Sequence, residues 1–288
     1  MQIGARLSLD WLADIALVRK AAIELDEAGF DYLTIGGHLL TARPGRYPDM
    51  RPDVYSLPYR DPFVLFSHLA AVTRRIAFRP AILILPMLPT ALVAKQAADL
   101  SLVSAGRFQL GVGISWQEVE YRALGQQMRD RGRKLEEQIH VLRLLWSEPV
   151  VTFKGRYHDL DDIGIGQLPD QPIRIWIGSA PEPRLLRRVA ELADGWIPSA
   201  GVSSPDAVRQ LQAFARDAGR HSDVAVTGRV VVEPPFDHAE AEARRQIEAG
   251  ATEITLSAPE RSSLADGVSA MIAGRLQIAG AMRRPPEG

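Results

Sequence analysis

The chain alternates short, nearly continuous apolar runs with longer segments whose apolar positions recur every three to four residues. The clearest instance lies between Arg75 and Trp116. Ile76 to Pro86 is apolar apart from Arg79, and Phe108 to Gly113 is a second such run. Between them, Leu92, Val93, Gln96, Ala97 and Leu100 form one stripe at helical spacing, and Gly106 supplies the stop. Two strands buried on both faces and joined by a crossover helix make a parallel β-α-β unit.

The same unit recurs along the chain. Strand one is expected at Ile3 to Leu7, followed by a helix from about Asp10 to Ala28 with Asp10 as its N-cap candidate. Strand two, Phe30 to Ile35, leads into Gly36-Gly37-His38, and a helix begins at Asp61-Pro62. After Gly113 a helical stretch runs from Trp116 to about Trp146, broken near Gly125. Val150 to Asp159 reads as a surface hairpin or extended insertion. Strands five to eight fall at Ile173 to Ile177, Gly195 to Ile197, within Val224 to Val232, and at Glu253 to Leu256. Helices alternate with them, one carrying Ser204 as N-cap candidate.

Eight strands alternating with helices predict an α/β chain folded as a single (β/α)8 TIM barrel over residues 1–288, with an insertion between strands four and five. The rival is an open doubly wound sheet, but the first strand-to-helix turn lacks the Gly-rich fingerprint of a dinucleotide site. Between strand two and the helix at Asp61, a segment with Pro44, Pro48, Pro52 and Pro58 is too long for a connector. It reads as a lid or binding loop.

Composition narrows the function. A formal net charge of −1 argues against a nucleic-acid partner. With no cysteine, disulfides, thiolate metal sites and a cysteine nucleophile are excluded. No leader pattern precedes strand one and no apolar run reaches membrane-spanning length, so a cytoplasmic protein without a membrane partner is expected. Only Lys20, Lys95, Lys134 and Lys154 among the 34 basic residues are lysine, which points to a GC-rich genome.

In such a barrel the chemistry lies just after the strands. Those positions here are mostly small or apolar, suited to a flat aromatic cofactor. His38 is the only histidine among them and is the candidate acid/base; a backbone-bonded loop histidine is the structural alternative. Gly178-Ser179-Ala180, ahead of a helix, is a candidate phosphate cradle, although an ordinary turn would read the same way. Gly111 and Gly113 are weaker candidates of the same kind. The loop arginines Arg43, Arg46, Arg51 and Arg60 read as a solvated face or a grip on an anionic tail. No histidine pair has metal-ligand spacing, so no metal is expected.

Several segments together resemble the bacterial-luciferase-like superfamily. They are Leu85-Pro86-Met87, Leu102 to Arg107, Phe108 to Trp116, Arg131-Gly132-Arg133 with Glu136, Leu144-Leu145-Trp146, and Ala193 to Pro198. The resemblance implies a (β/α)8 barrel with an insertion that binds FMN or the deazaflavin coenzyme F420. It places the ring against the end of strand three, with a non-proline cis peptide near Ile82-Leu83. His38 then matches the family's strand-two histidine, and Gly178-Ser179 its phosphate loop. The sequence departs from the family pattern at Gly37, where many deazaflavin users have Asp, at Ser179, and at Leu88-Pro89. The expected function is F420-dependent hydride transfer to or from a small organic substrate. The alternatives are an FMN-dependent monooxygenase fed by a partner flavin reductase and a non-catalytic flavin-binding barrel; a homodimer is left open.

Overall fold

The computed structural model describes residues 1–41, 43, 46–47, 57–199, 201 and 204–281. Pro44, Pro48, Arg51 and Pro52 of the expected lid, and the Arg283-Arg284-Pro285-Pro286 tail, lie outside them. Eight parallel strands close into a barrel in the order β1 (Gln2–Arg6), β10 (Glu253–Ser257), β9 (Ala225–Val231), β8 (Gly195–Pro198), β7 (Ile175–Ser179), β4 (Leu110–Gly113), β3 (Ala77–Ile84), β2 (Tyr32–Gly37). Closure is direct, because β1 pairs in parallel with both β10 and β2.

Around the barrel lie α1 (Ile15–Glu27), α2 (Pro62–Ala70), α3 (Thr90–Val103), α4 (Glu118–Ala123), α5 (Arg131–Ser147), α6 (Pro183–Leu192), α7 (Pro205–Asp217), α8 (Asp237–Glu248) and α9 (Leu264–Ala281). The insertion is an antiparallel hairpin of β5 (Val151–Lys154) and β6 (Asp159–Ile163). His158 fastens it: Nδ1 lies 2.8 Å from Glu137 and Nε2 lies 2.6 Å from the Thr90 hydroxyl.

One helix start departs from the sequence reading. Asp10 opens a short 3-10 turn, and the cap of α1 is Asp14, whose carboxylate accepts the Leu17 N–H at 3.1 Å. Both aspartates satisfy the same local rule, and burial of Trp11 and Leu12 selects the later one. Ser204 caps α7 as expected, and Asp61 caps α2 where the helix was expected to begin.

Much of the motif content is structural. Arg107 donates to the carbonyls of Ser104, Ile76 and Ala70 and to the Thr73 hydroxyl, tying α2 and α3 to the entry of β3. Asp194 accepts the Ile175 N–H at 2.7 Å and so joins the starts of β7 and β8. Gly195 leaves room for an indole, since a Cβ there would lie 2.1 Å from the Trp176 ring. Trp146 donates to the Ala94 carbonyl at 3.0 Å.

The barrel interior carries a charged plug. The Arg79 guanidinium lies 4.0 Å from the Tyr32 ring centroid and 3.9 Å from that of Trp176, and pairs with Glu253. Glu253 also accepts from Thr227 at 2.6 Å, and Tyr32 shares a 2.6 Å bond with Thr255. Burial alone would lower the Arg79 pKa; Glu253 and Tyr32 outweigh it and hold it above the ordinary value. Burial and the Glu253 charge push the Tyr32 phenol well above its ordinary range. Gly4 is required here, because a Cβ would fall 2.1 Å from the Tyr32 ring.

Candidate functional site

Above this plug the strand ends open into a cavity of about 820 Å³. His38, Ile82, Gly113, Gly178, Ser179 and Ala180 all line it, together with Ser115 and Trp116. The structure thus brings most of the sequence-predicted positions together. Leu83 is fully buried in the core. Gly111 is packed below the floor, where a Cβ would meet the Pro80 carbonyl oxygen at 1.9 Å.

The non-proline cis peptide is at Ala81-Ile82, one bond earlier than expected. Ile82 lies between two glycines. A Cβ on Gly113 would come within 2.7 Å of its Cδ1, and one on Gly178 within 2.7 Å of its Cγ2. With Ala81, Ile84 and Ile114 it makes an apolar wall. Glycine at 113 and 178 therefore makes room for Ile82, a packing reason that the sequence did not reveal.

His38 stands at the end of β2 and does not stand alone. Its Nδ1 lies 2.7 Å from Oε2 of Glu120, while Oε1 of the same carboxylate accepts the N–H groups of Leu39 and Leu40 at 3.0 and 3.1 Å. Tyr59 meets the imidazole edge-on, with centroids 5.2 Å apart. The Glu120 side chain is only 1% exposed. Burial by itself would raise its pKa, but the His38 hydrogen bond and charge and the two backbone N–H groups prevail and hold it below the usual range. An ionised carboxylate can only accept, so Nδ1 carries the proton. In the neutral imidazole, Nε2 is then the basic nitrogen.

Across the mouth, Ser179 is held by Trp196, whose indole N–H donates to its carbonyl at 3.2 Å and its hydroxyl at 3.1 Å. The N–H groups of Ala180 and Glu182 have no hydrogen-bond partner among the described residues. Arg131 and Arg188 line the same corner. Arg131 donates to the carbonyls of Ser115 and Met128, both at 3.2 Å, and Arg188 donates to Glu136 at 2.7 Å. A Cβ on Gly132 would lie 2.6 Å from the Arg188 guanidinium, so glycine there leaves room for that side chain. Exposed Glu182 is the one acidic residue among the described residues that line the cavity, and Glu136 stands behind Arg188.

An apolar wall, a cavity of this volume and a corner of free N–H groups beside two arginines fit a flat aromatic ring with a phosphorylated tail. Among the described residues no three His, Asp or Glu side chains are grouped to hold a metal ion. No helix among them is long and apolar enough to cross a membrane.

Glu120, Arg131 and Arg188 are site residues that sequence reasoning left out or read only as motif members. Glu120 lies 82 positions from His38, and nothing local in α4 marks it as a partner.

The comparisons fit this geometry. An uncharacterized protein of Mycobacterium tuberculosis is 38% identical over 170 residues, 57% of each chain, so the match spans little more than half of that relative's length. Pyrimidine monooxygenase RutA of Cronobacter turicensis is 31% identical over 68% of this chain and 53% of its own. The F420-dependent glucose-6-phosphate dehydrogenase of Kineococcus radiotolerans is 26% identical over 96% of this chain and 81% of its own. An F420-dependent secondary alcohol dehydrogenase, solved with an F420-acetone adduct, shares the fold with a TM-score of 0.78 at 19% identity. That likeness covers 96% of this chain and 98% of the other. The model of the luciferase-like monooxygenase family matches residues 4–285, and the chain belongs to that family.

Proposed function

We propose that this protein is an F420-dependent oxidoreductase that transfers a hydride between the deazaflavin and a small organic substrate. The observation that carries the reading is the His38–Glu120 pair at the cavity mouth. When bound, the deazaflavin supplies two-electron hydride chemistry. The chain's own residues supply the rest. Glu120 fixes the imidazole with Nδ1 protonated, so Nε2 can take or return the proton that accompanies hydride transfer at a substrate oxygen. The apolar wall around Ile82 would position the ring, and Ser179, Ala180, Arg131 and Arg188 would hold the phosphate.

The similarity to the F420-dependent glucose-6-phosphate dehydrogenase covers nearly the whole chain, which favours the deazaflavin. The second reading, an FMN-dependent monooxygenase supplied by a separate reductase, is favoured by the higher local identity to pyrimidine monooxygenase RutA. Titration of the purified protein with F420 and with FMN, followed by fluorescence, separates the two. F420 is expected to bind at least tenfold more tightly. Tighter FMN binding would transfer the assignment to the second reading, and binding of neither would remove both. In the F420-loaded enzyme, His38→Ala should lower turnover by about 10²- to 10⁴-fold with little change in cofactor affinity. Equal, modest losses in both would reduce His38 to a packing role.

A further inference from the structure

Among the described residues, five arginines line the cavity: Arg6, Arg79, Arg131, Arg188 and Arg229. Three of them are engaged, Arg79 by Glu253, Arg188 by Glu136, and Arg131 by two carbonyls. The guanidinium groups of Arg6 and Arg229 have no hydrogen-bond or ion-pair partner among the described residues. Both sit on barrel strands at the cavity end, Arg6 as the last residue of β1 and Arg229 within β9.

Strand register explains why they meet. Arg229 is opposite Thr255 on β10, and Thr255 is opposite Gly4 on β1, so Arg6 stands two residues further along β1. In an eight-stranded barrel, interior layers draw on alternate strands with a steady stagger. β1 and β9 flank β10, so the two arginines fall in one layer, directly above the level of the Arg79 plug. Their proximity shows in the electrostatics. Burial, and next the Arg229 charge, lower the pKa of Arg6, while Tyr59 partly opposes them.

A second observation points the same way. Thr34 is the register partner of Arg6 on β2 and lines the cavity. It is 2% exposed, and its hydroxyl has no hydrogen-bond partner among the described residues. Buried hydroxyls are seldom left unpaired. Among the described residues, two like charges without a carboxylate partner, the Arg229 one exposed, and an unpaired hydroxyl therefore share one region of the mouth, in a chain whose net charge is −1. Arg6 stands apart from the cradle, since β1 lies four strands from β7 in either direction around the barrel, and Arg229 on β9 lies two strands from β7.

We propose that Arg6 and Arg229, with the Thr34 hydroxyl, bind an oxyanion carried by the substrate, so that the enzyme acts on an organic carboxylate or phosphate and not on a neutral alcohol or carbonyl compound. The inference rests on the functional reading above for the word substrate, but the anion site itself does not depend on the cofactor. Guanidinium groups suit this task because their donors match the two oxygens of a carboxylate or phosphate edge. The charged group would be anchored near β1 and β9, leaving the reacting carbon toward His38 on neighbouring β2.

The test uses the full chain and the variants Arg6→Gln, Arg229→Gln and their double, with Arg6→Lys and Arg229→Lys as charge-conserving controls. Inorganic phosphate and acetate are titrated by calorimetry, with acetamide as the neutral control. Wild type should bind the anions and not acetamide, and the double Gln variant should bind at least tenfold more weakly. Lys variants should recover part of the loss. Equal binding by wild type and the double variant would mean an adventitious ion only and would overturn the proposal. F420 and FMN affinities are measured on the same proteins. A tenfold loss of cofactor affinity in the Gln variants would assign the arginines to the cofactor's own anion and also overturn it. Unchanged anion binding in a protein that takes up neither cofactor would sink the functional reading alone.

Discussion

Replacing Glu120 tests whether the carboxylate orients His38 or only fills a buried space. Its two oxygens accept three hydrogen bonds, from the His38 Nδ1 and from the N–H groups of Leu39 and Leu40. Glu120→Ala leaves all three donors without an acceptor, at a cost of about 1–3 kcal/mol, the range for buried donors left unsatisfied. Glu120→Gln is the sharper variant. Its amide oxygen can still accept from Leu39 and Leu40, but its NH2 now faces Nδ1 as a donor. The loss should be about 1–2 kcal/mol, and the imidazole must move its proton to Nε2. The pH dependence has a definite sign. Glu120 titrates lower in the folded chain than in the unfolded one. Its contribution is therefore complete above the ordinary carboxylate range and disappears as the pH falls through the folded value. Urea unfolding of wild type and Glu120→Gln at pH 8 should show the gap, and at pH 4 the gap should narrow. Nitrogen NMR of the imidazole should report Nδ1–H in wild type and Nε2–H in the variant. Equal stability at pH 8 with the Nδ1 tautomer retained would refute the orienting role.

Three further outcomes follow from the packing. Gly178→Ala places a Cβ 2.7 Å from Ile82 Cγ2 and should destabilise the fold by about 1–3 kcal/mol, with recovery in the Gly178→Ala/Ile82→Ala double variant. Absence of that recovery in thermal unfolding would locate the conflict elsewhere. Gly195→Ala drives a Cβ into the Trp176 ring and should cost more than Gly178→Ala, read as lost soluble yield or a lower Tm. Arg79→Met leaves Glu253 buried without its cation and should cost about 3–5 kcal/mol, whereas Arg79→Met/Glu253→Gln should recover a large part of it. A double variant no better than the single would argue against charge pairing as the role of Arg79.

The barrel was legible because its strands are buried on both faces and so read as apolar runs, while glycines such as Gly106 and Gly250 mark helix ends with positive φ. His38 was legible because a strand end is a local feature. What escaped were relations across the barrel. Glu120 is an ordinary acidic residue of a short surface helix until the fold carries it to His38. Arg79 read as an interruption of an apolar run, yet it is the centre of that run's inward face. Gly178 read as a phosphate turn, and its sequence gave no sign that Ile82 needs the space. A usable signal did exist for Arg6 and Arg229. Period-two parity places both at inward positions of apolar strands and would have flagged them; the cost of burying a charge applies to Arg6, whereas Arg229 is exposed.

The contrast between Arg79 and the Arg6–Arg229 pair separates stability from chemistry in this barrel. All three arginines project inward from strands. Arg79 lies lower, sandwiched by two rings and neutralised by Glu253, so its charge is consumed within the protein. One layer higher, Arg6 and Arg229 have no carboxylate partner among the described residues; only Tyr59 partly offsets the charge at Arg6, and the adjacent Thr34 hydroxyl is unpaired among those residues. If the pair served only the fold, a carboxylate at a facing position would relieve the repulsion at little cost. The facing positions hold Thr34, Thr255 and Ser257 instead, none of which can supply a negative charge. The arrangement stabilises the folded chain less than an ion pair would, and it becomes favourable when an anion enters from outside. That places the recognition of charge at the cavity mouth near β1 and β9, and the handling of protons at the neighbouring end of β2.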